Sequence, residues 1–518
     1  MKFILIIPVF FFGHLNFAQV LNNTILDYNN VKTILNDEGG FFYNASAAIP
    51  GYEIPKGSGL NTIYAGSYWI GAKDEFGNLH VSGTTYSTGG SGSAFHSGPL
   101  AESIAYGSTN YSNLYQNALW KVSDAEIQNH IANYQNTGYI IPNAILTWPG
   151  NGDVNLGVAS HLAPFIDINN NGIYEPAQGD YPDIRGDEAV YIIMNDESFN
   201  PDGNQLGIEL HAMFYQFAAG NYLNNTTFLN TKVYNRSNMN YNDYRQALFV
   251  DFDIGNYSDD YIGCNVSNNV LFGYNGDDTD EPANGQSGYG NNPPCQGVVA
   301  LSHQLENAGT FNNTQNNLDT SLWLLMNSQW DDSTNWINPF TNSATNFMYA
   351  GNPNDPNAWH EQSNNNPTGD RRGLLTIAEP TLPAGGSICA DFAFIYDRSG
   401  SRLTNVQNVI NLAEMIQNSY DISNGFPCQS LNTISVQELT DGIAFELYPN
   451  PSNGAFNIDF NQNESFDLEI KNAIGSIVFK ESFIGKTASI KLNQANGIYL
   501  VTVKTANGSA LKKLIIQK

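Results

Sequence analysis

The chain has 518 residues, with 21 Lys and Arg against 49 Asp and Glu, for a formal net charge of −28. This balance excludes nucleic acid and anionic lipid as natural partners and favours cations. Only 14% of residues are charged, while Gly numbers 47, Tyr 28 and Phe 29, which suits β structure with long polar loops and is too aromatic for a disordered chain.

Residues 1–18, MKFILIIPVFFFGHLNFA, carry one Lys, an apolar run broken by Pro8 and Gly13, and a small residue at Ala18. The run is too short to span a bilayer and reads as an export signal. No other apolar run approaches membrane length, so no transmembrane segment is expected.

The body divides on pattern into a β-rich region, 19–201, and a sandwich region, 202–428, followed by a linker, 429–443, and a terminal module, 444–518. The expected fold is mainly β: a β-sandwich body, as one large or two domains with few helices, and a small Ig-like sandwich at the C-terminus. Strands are predicted at 62–70 and 79–86. A helix is predicted at 124–134, where Ser123 and Glu126 form a capping box. From Gly207 the alternation is cleaner, at 211–218, 227–234, 245–252 and 270–274. The Asn-rich stretch 303–370 carries Trp323, Trp330, Trp336 and Trp359, too many aromatics for a linker. Strands at 372–378 and 387–396 flank a turn at 380–386. Val406, Val409, Ile410, Ala413 and Ile416 recur at helical spacing and predict a helix over 403–420. Its polar face lacks the Lys and Arg of a membrane-surface helix, so it should pack on the sandwich.

Two acidic constellations point to cation chemistry. In the first, oxygen-bearing side chains of Asp167, Asn169 and Asn171 stand at positions 1, 3 and 5 of a loop that Gly172 lets turn sharply. The carbonyl of Ile173 and the carboxylates of Glu175 and Asp180 can complete a Ca²⁺ shell. Gln178 stands where an EF-hand has its bidentate Glu, and with one carboxylate in the first three positions the affinity should be millimolar. The bland reading is an Asx-rich turn bonding its own backbone. In the second, Asp251 and Asp253 alternate at a strand end and Asp259 and Asp260 follow in the next loop, so they repel one another unless a cation or solvent intervenes. Cys264, Cys295, Cys389 and Cys428 form an even set in an oxidising compartment. Three pairings are open; Cys264 with Cys295 and Cys389 with Cys428 are favoured because each closes a short loop.

The terminal module holds eight Lys against six acids, while residues 19–444 hold 12 basic and 43 acidic residues. Surfaces this different are not expected to share a core. Its alternating runs around 456–460, 468–470 and 498–503 predict six or seven short strands. Tyr448, Pro449, Asn450, Pro451, Gly454, Gly475, the strand Gly497 to Val501 with Tyr499, and the closing Lys512 and Lys513 together resemble the type A sorting domain of the Bacteroidetes type IX secretion system. The resemblance implies an outer-membrane translocon and a sortase-like peptidase as partners. It also implies a protein that is secreted, extracellular or attached to the outer face of the outer membrane. The body is similar to uncharacterised cargo of that route, through Trp69-Ile70-Gly71-Ala72, Gly98-Pro99-Leu100, the 163–182 loop, 259–264 and 369–372; no activity comes with that likeness.

No HExxH, GxSxG or phosphate-cradling loop is present, so a non-catalytic role is favoured: a calcium-stabilised structural, adhesive or ligand-binding β protein, with a surface glycan or protein as ligand. The alternative is a secreted hydrolase acting on polysaccharide or protein through paired carboxylates.

Overall fold

A computed structural model describes residues 22–86, 94–115, 117–197, 205–283, 285–311, 319–422, 428, 445–450, 452–472, 477–494, 497–505 and 508–516. The expected export signal, the linker 429–443, Pro451 and Gly475 lie outside these residues.

The body is built on two antiparallel sheets of nine strands each. The first runs in the order Asn23–Leu26, Lys32–Asn36, Gly40–Phe41, Asn61–Lys73, Tyr241–Phe252, Arg371–Leu382, Asn307–Phe311, with Tyr52–Glu53 and Leu79–Gly83 paired beside it. The second runs Leu119–Ser123, Glu188–Asn195, Ile208–Gln216, Thr227–Asn235, Ser387–Asp397, Cys295–Ala300, Val270–Asn275, Asp260–Asn265, with His96–Ser97 alongside. Tyr68, Ile70, Leu248 and Val250 of the first sheet share a core with Val190, Phe214, Leu229 and Phe394 of the second.

Both outer faces are covered as well. Helices Asp124–Asn133 and Arg402–Ile422 bury Ile127, Val406, Val409 and Ala413 with Tyr191, Met213 and Phe272 of the second sheet. Helix Asp319–Met326 and the tryptophans Trp323, Trp336 and Trp359 pack on Trp69, Ala247 and Phe249 of the first. Strands covered on two sides lose their alternation, and Ile208–Gln216 is buried at all nine positions. The helix at 124–133 carries the expected capping box between Ser123 and Glu126, and the predicted 403–420 helix extends from Arg402 to Ile422. The helix over Asp319–Met326 was missed because its stripe is apolar nearly all round and sits in an Asn-rich stretch.

The regions 19–201 and 202–428 interleave. Asn61–Lys73 pairs with Tyr241–Phe252, and Glu188–Asn195 pairs with Ile208–Gln216, so both sheets and the core between them draw on residues from either side of position 201.

The favoured Cys264–Cys295 bond is overturned by this topology. Strand Val270–Asn275 lies between the two cysteine strands, and Cys264 faces the inter-sheet core while Cys295 faces the opposite side. Two strand spacings separate them by about 10 Å, beyond the roughly 7 Å between Cα atoms that a disulfide bridges. Cys264 donates instead to the carbonyl of Met348 at 3.3 Å.

In the tail, Phe445–Tyr448, Ala455–Asn472, Ile477–Lys491, Gly497–Thr505 and Gly508–Ile516 form one five-stranded antiparallel sheet. The runs read as separate strands at 456–460 and 468–470 belong to a single strand of 18 residues. Its register shift between Asp459 and Glu464 lets both halves feed one core, where Phe456, Ile458 and Phe460 meet Leu468, Val501, Val503 and Leu514.

Candidate metal centre

Asp251 is the penultimate residue of Tyr241–Phe252, and the pleat puts it on the outer face with Phe249 and Ala247. Asp253 follows just past the strand end, its amide held by the carbonyl of Thr62 at 3.1 Å. The neighbouring strand Arg371–Leu382 pairs Asp251 with Arg372 and Phe252 with Arg371, which delivers Asp370 to the same corner. One oxygen from each of Asp251, Asp253 and Asp370 lies within 4.8 Å of the others.

Two of the three carboxylates are deeply buried, and the cluster is underbonded. Asp251 and Asp253 are 3% and 5% exposed. Tyr86 Oη donates to Asp251 Oδ2 at 2.5 Å, and Arg372 Nε donates to Tyr86 Oη at 2.9 Å. Arg372 Nη2 reaches Asp370 Oδ2 at 3.0 Å but its Nε stands 3.9 Å from Asp251 Oδ1. The buried Oδ1 atoms of Asp251 and Asp370 and Oε1 of Gln286 accept no hydrogen bond among the described residues. Gln286 donates through Nε2 to Asp253 Oδ2 at 3.4 Å; an amide flip would aim its carbonyl oxygen at the centre instead. Burial pushes Asp251 up to about 7 despite Arg372, and burial, Asp251 and Asp370 push Asp253 well above the carboxylate range. Three carboxylates and one guanidinium leave a formal charge of −2, the complement of one divalent cation.

Asp259 and Asp260 do not join this trio, and Asp370, 117 positions after Asp253, takes their place. Asp260 Oδ2 accepts from the amide of Ile254 at 2.9 Å, clamping the turn that follows the strand. Asp280 does the same for a second loop, accepting from the amides of Asn256 at 3.1 Å and Tyr289 at 2.5 Å.

The 167–180 loop spans a two-stranded ladder, Phe165–Ile166 with Tyr181–Pro182. Its side chains turn mostly inward on the loop itself. Asp167 Oδ2 accepts from Gly172 N at 2.6 Å, Asn169 Oδ1 from Asn171 N at 3.1 Å, and Asn171 Oδ1 from Ile173 N at 2.8 Å. Asp180, fully buried, accepts from the amides of Ile168 at 2.9 Å and Glu175 at 2.7 Å. Glu175 Oε2 takes the Asn171 amide at 2.5 Å. Among the described residues Asp167, Glu175 and Asp180 do not bring ligand atoms within 4.8 Å of one another.

One arrangement outside the acidic sites has the outline of a nucleophile. Ser302 Oγ lies 2.7 Å from His303 Nδ1, and His303 Nε2 lies 3.1 Å from Glu379 Oε1, at a polar cleft of about 520 Å³. Ser302 Oγ also accepts from the amide of Asp391 at 2.9 Å, so it ends the ladder between two strands. That second bond makes it a strand cap rather than a poised hydroxyl.

Among the described residues no helix is long and apolar enough to cross a membrane. Comparison with curated proteins finds no match. Among solved structures, a polysaccharide lyase is 7% identical over 69% of this chain and 37% of its own, with a TM-score of 0.19. Dimeric latent PorU from Porphyromonas gingivalis is 11% identical over 63% of this chain and 31% of its own, with a TM-score of 0.14. The chain thus spans about a third of each, at a similarity that carries no structural argument. Residues 446–517 match the family described as the secretion system C-terminal sorting domain, so the chain carries a type IX sorting tail and is cargo of that route, secreted or attached to the outer surface.

Proposed function

We propose that the body is a calcium-stabilised β protein with a structural, adhesive or ligand-binding role at or beyond the cell surface, delivered by a tail that the translocon and a sortase-like peptidase read. The observation that carries the calcium part is the meeting of Asp251, Asp253 and Asp370 within 4.8 Å. Oxygens around a calcium ion, each about 2.3–2.6 Å from it, span such distances. The residues fit the ion in chemistry as well as in spacing: hard oxygen donors, a formal charge of −2 once all three carboxylates are ionised, and buried oxygens that accept no hydrogen bond among the described residues. A glycosidase needs its two carboxyls about 5–5.5 Å or 6.5–9.5 Å apart. Three carboxylates converge here where a glycosidase uses two, and the convergence of all three favours a shared cation over acid–base work on a sugar.

Isothermal titration of the chelator-treated protein with calcium at pH 7.5 tests this reading. One equivalent should bind with a dissociation constant of about 0.1–1 mM, and Asp253→Asn should remove the heat. Silence in the wild-type titration would sink the proposal.

A further inference from the structure

At the C-terminal end of the body a second cluster stands apart from the metal centre. Cys389 lies in strand Ser387–Asp397, opposite Lys232, and Cys428 follows helix Arg402–Ile422. Their sulfurs and a carboxylate oxygen of Asp391 all lie within 4.8 Å of one another. Asp391 is 1% exposed and already held, taking hydrogens from Asn230 Nδ2 and Tyr420 Oη at 2.8 Å each and from Cys428 Sγ at 3.3 Å. A divalent ion here would need two thiolates packed against that carboxylate. The Cys428 thiol is pushed far up by its bond to Cys389, by burial and by Asp391, which opposes such a set.

We propose that Cys389 and Cys428 are joined by a disulfide in the exported protein, forming a clasp that ties the end of the body to its second sheet immediately ahead of the linker and sorting tail. Each thiol gives up its hydrogen and one electron as the S–S bond forms. The two electrons and two protons pass to the disulfide of a dithiol–disulfide exchange protein, which becomes a dithiol. Oxidation takes place while the sulfurs are still accessible in the folding chain, and closure of the fold then shields the bond.

The place of the bond gives it a purpose. The two cysteines lie 39 positions apart, and the bond closes a loop around helix Arg402–Ile422, which is otherwise held by apolar side chains such as Val406, Val409, Ile410, Leu412, Ala413 and Ile416 and by the Tyr420 and Gln417 hydrogen bonds to Asp391 and the carbonyl of Leu301. If the sorting tail at 446–517 is removed proteolytically, the new chain end falls between Cys428 and that region. With the clasp closed, fraying from that end stops at Cys428 and the helix stays docked.

Protein collected after export from a host carrying this secretion route supplies the test. Denatured and alkylated without reductant, it should carry two alkyl groups, on Cys264 and Cys295, and yield one cross-linked peptide pair containing Cys389 and Cys428; reductant should raise the count to four. Four groups without reductant would overturn the bond, as would a stoichiometric zinc ion released when the two thiols are titrated. Carboxypeptidase should trim the mature wild-type chain no further than Cys428 and should enter the helix in Cys428→Ser. Equal trimming of both would overturn the clasp. Cys389→Ser should lower Tm by about 5 °C, and the double variant should lose no more than either single. Calcium binding at the trio should be untouched in all three.

Discussion

The body holds two acidic regions of similar composition and opposite construction. The 167–180 loop is largely exposed, and most of its side-chain oxygens accept from its own amides or from Asn171, the buried Asp167 Oδ1 being the exception. At the second corner Asp251 and Asp253 are buried and Asp370 is partly exposed, and their oxygens face one another with Arg372 as the sole close cation among the described residues. An oxygen that a backbone hydrogen already satisfies gains little from a metal, whereas buried carboxylates that repel one another gain a great deal. The number of acidic residues in a stretch is therefore a poorer guide to cation binding than what else those acids can bond.

Breaking the second region should have the largest effect. Arg372→Gln should destabilise the chelator-treated protein by about 3–5 kcal/mol, because the carboxylates it balances stay buried without a partner. The same change should tighten calcium binding, since the corner then holds three negative charges. Chemical denaturation with and without calcium reads both effects, and parallel curves for wild type and variant would contradict the assignment.

Next in size is the calcium increment itself. At about 100 times its dissociation constant, calcium should stabilise the wild type by about 2.7 kcal/mol. Asp251→Asn with Asp253→Asn should abolish that gain in a scanning calorimeter.

A separate effect, not ranked against these, is a pH slope. Folded Asp251 titrates near 7 and Asp253 above the carboxylate range, against about 3.9 in an unfolded chain. Between about pH 4 and 7 the folded state therefore binds more protons than the unfolded one, and this contribution to stability is present in acid and lost as pH rises through 7. In chelator, the urea midpoint of the wild type should fall across that window by more than that of the double Asn variant. Calcium should flatten the wild-type slope by displacing the protons.

The smallest effect belongs to the first region. Asp180→Asn should cost about 1–2 kcal/mol through one lost amide bond and leave the calcium titration unchanged. A lost titration would move the binding site back to the loop.

These contrasts also mark what the sequence could disclose. The helices at Asp124–Asn133 and Arg402–Ile422 were legible because cap chemistry and a 3.6-residue apolar stripe are local signals. The tail was legible from its turn residues and the reversal of charge along the chain. Asp251 and Asp253 were legible as a pair on one side of a strand end. Asp370 was not, because its approach depends on the pairing of Tyr241–Phe252 with Arg371–Leu382, and no spacing along the chain encodes which distant strands become neighbours. Cys295 misled for a related reason: proximity in sequence said nothing of the strand inserted between it and Cys264, or of the face each presents.

The interleaving of the two sheets bears on export itself. The central strands of the first sheet come from around positions 67, 246 and 376, and their pairings join residues 119 to 189 positions apart, an arrangement that assembles slowly. A nascent body lacking its final strands would expose bare edges prone to association. The matched sorting region, 446–517, follows every strand of both body sheets, so all of those strands are synthesised before it.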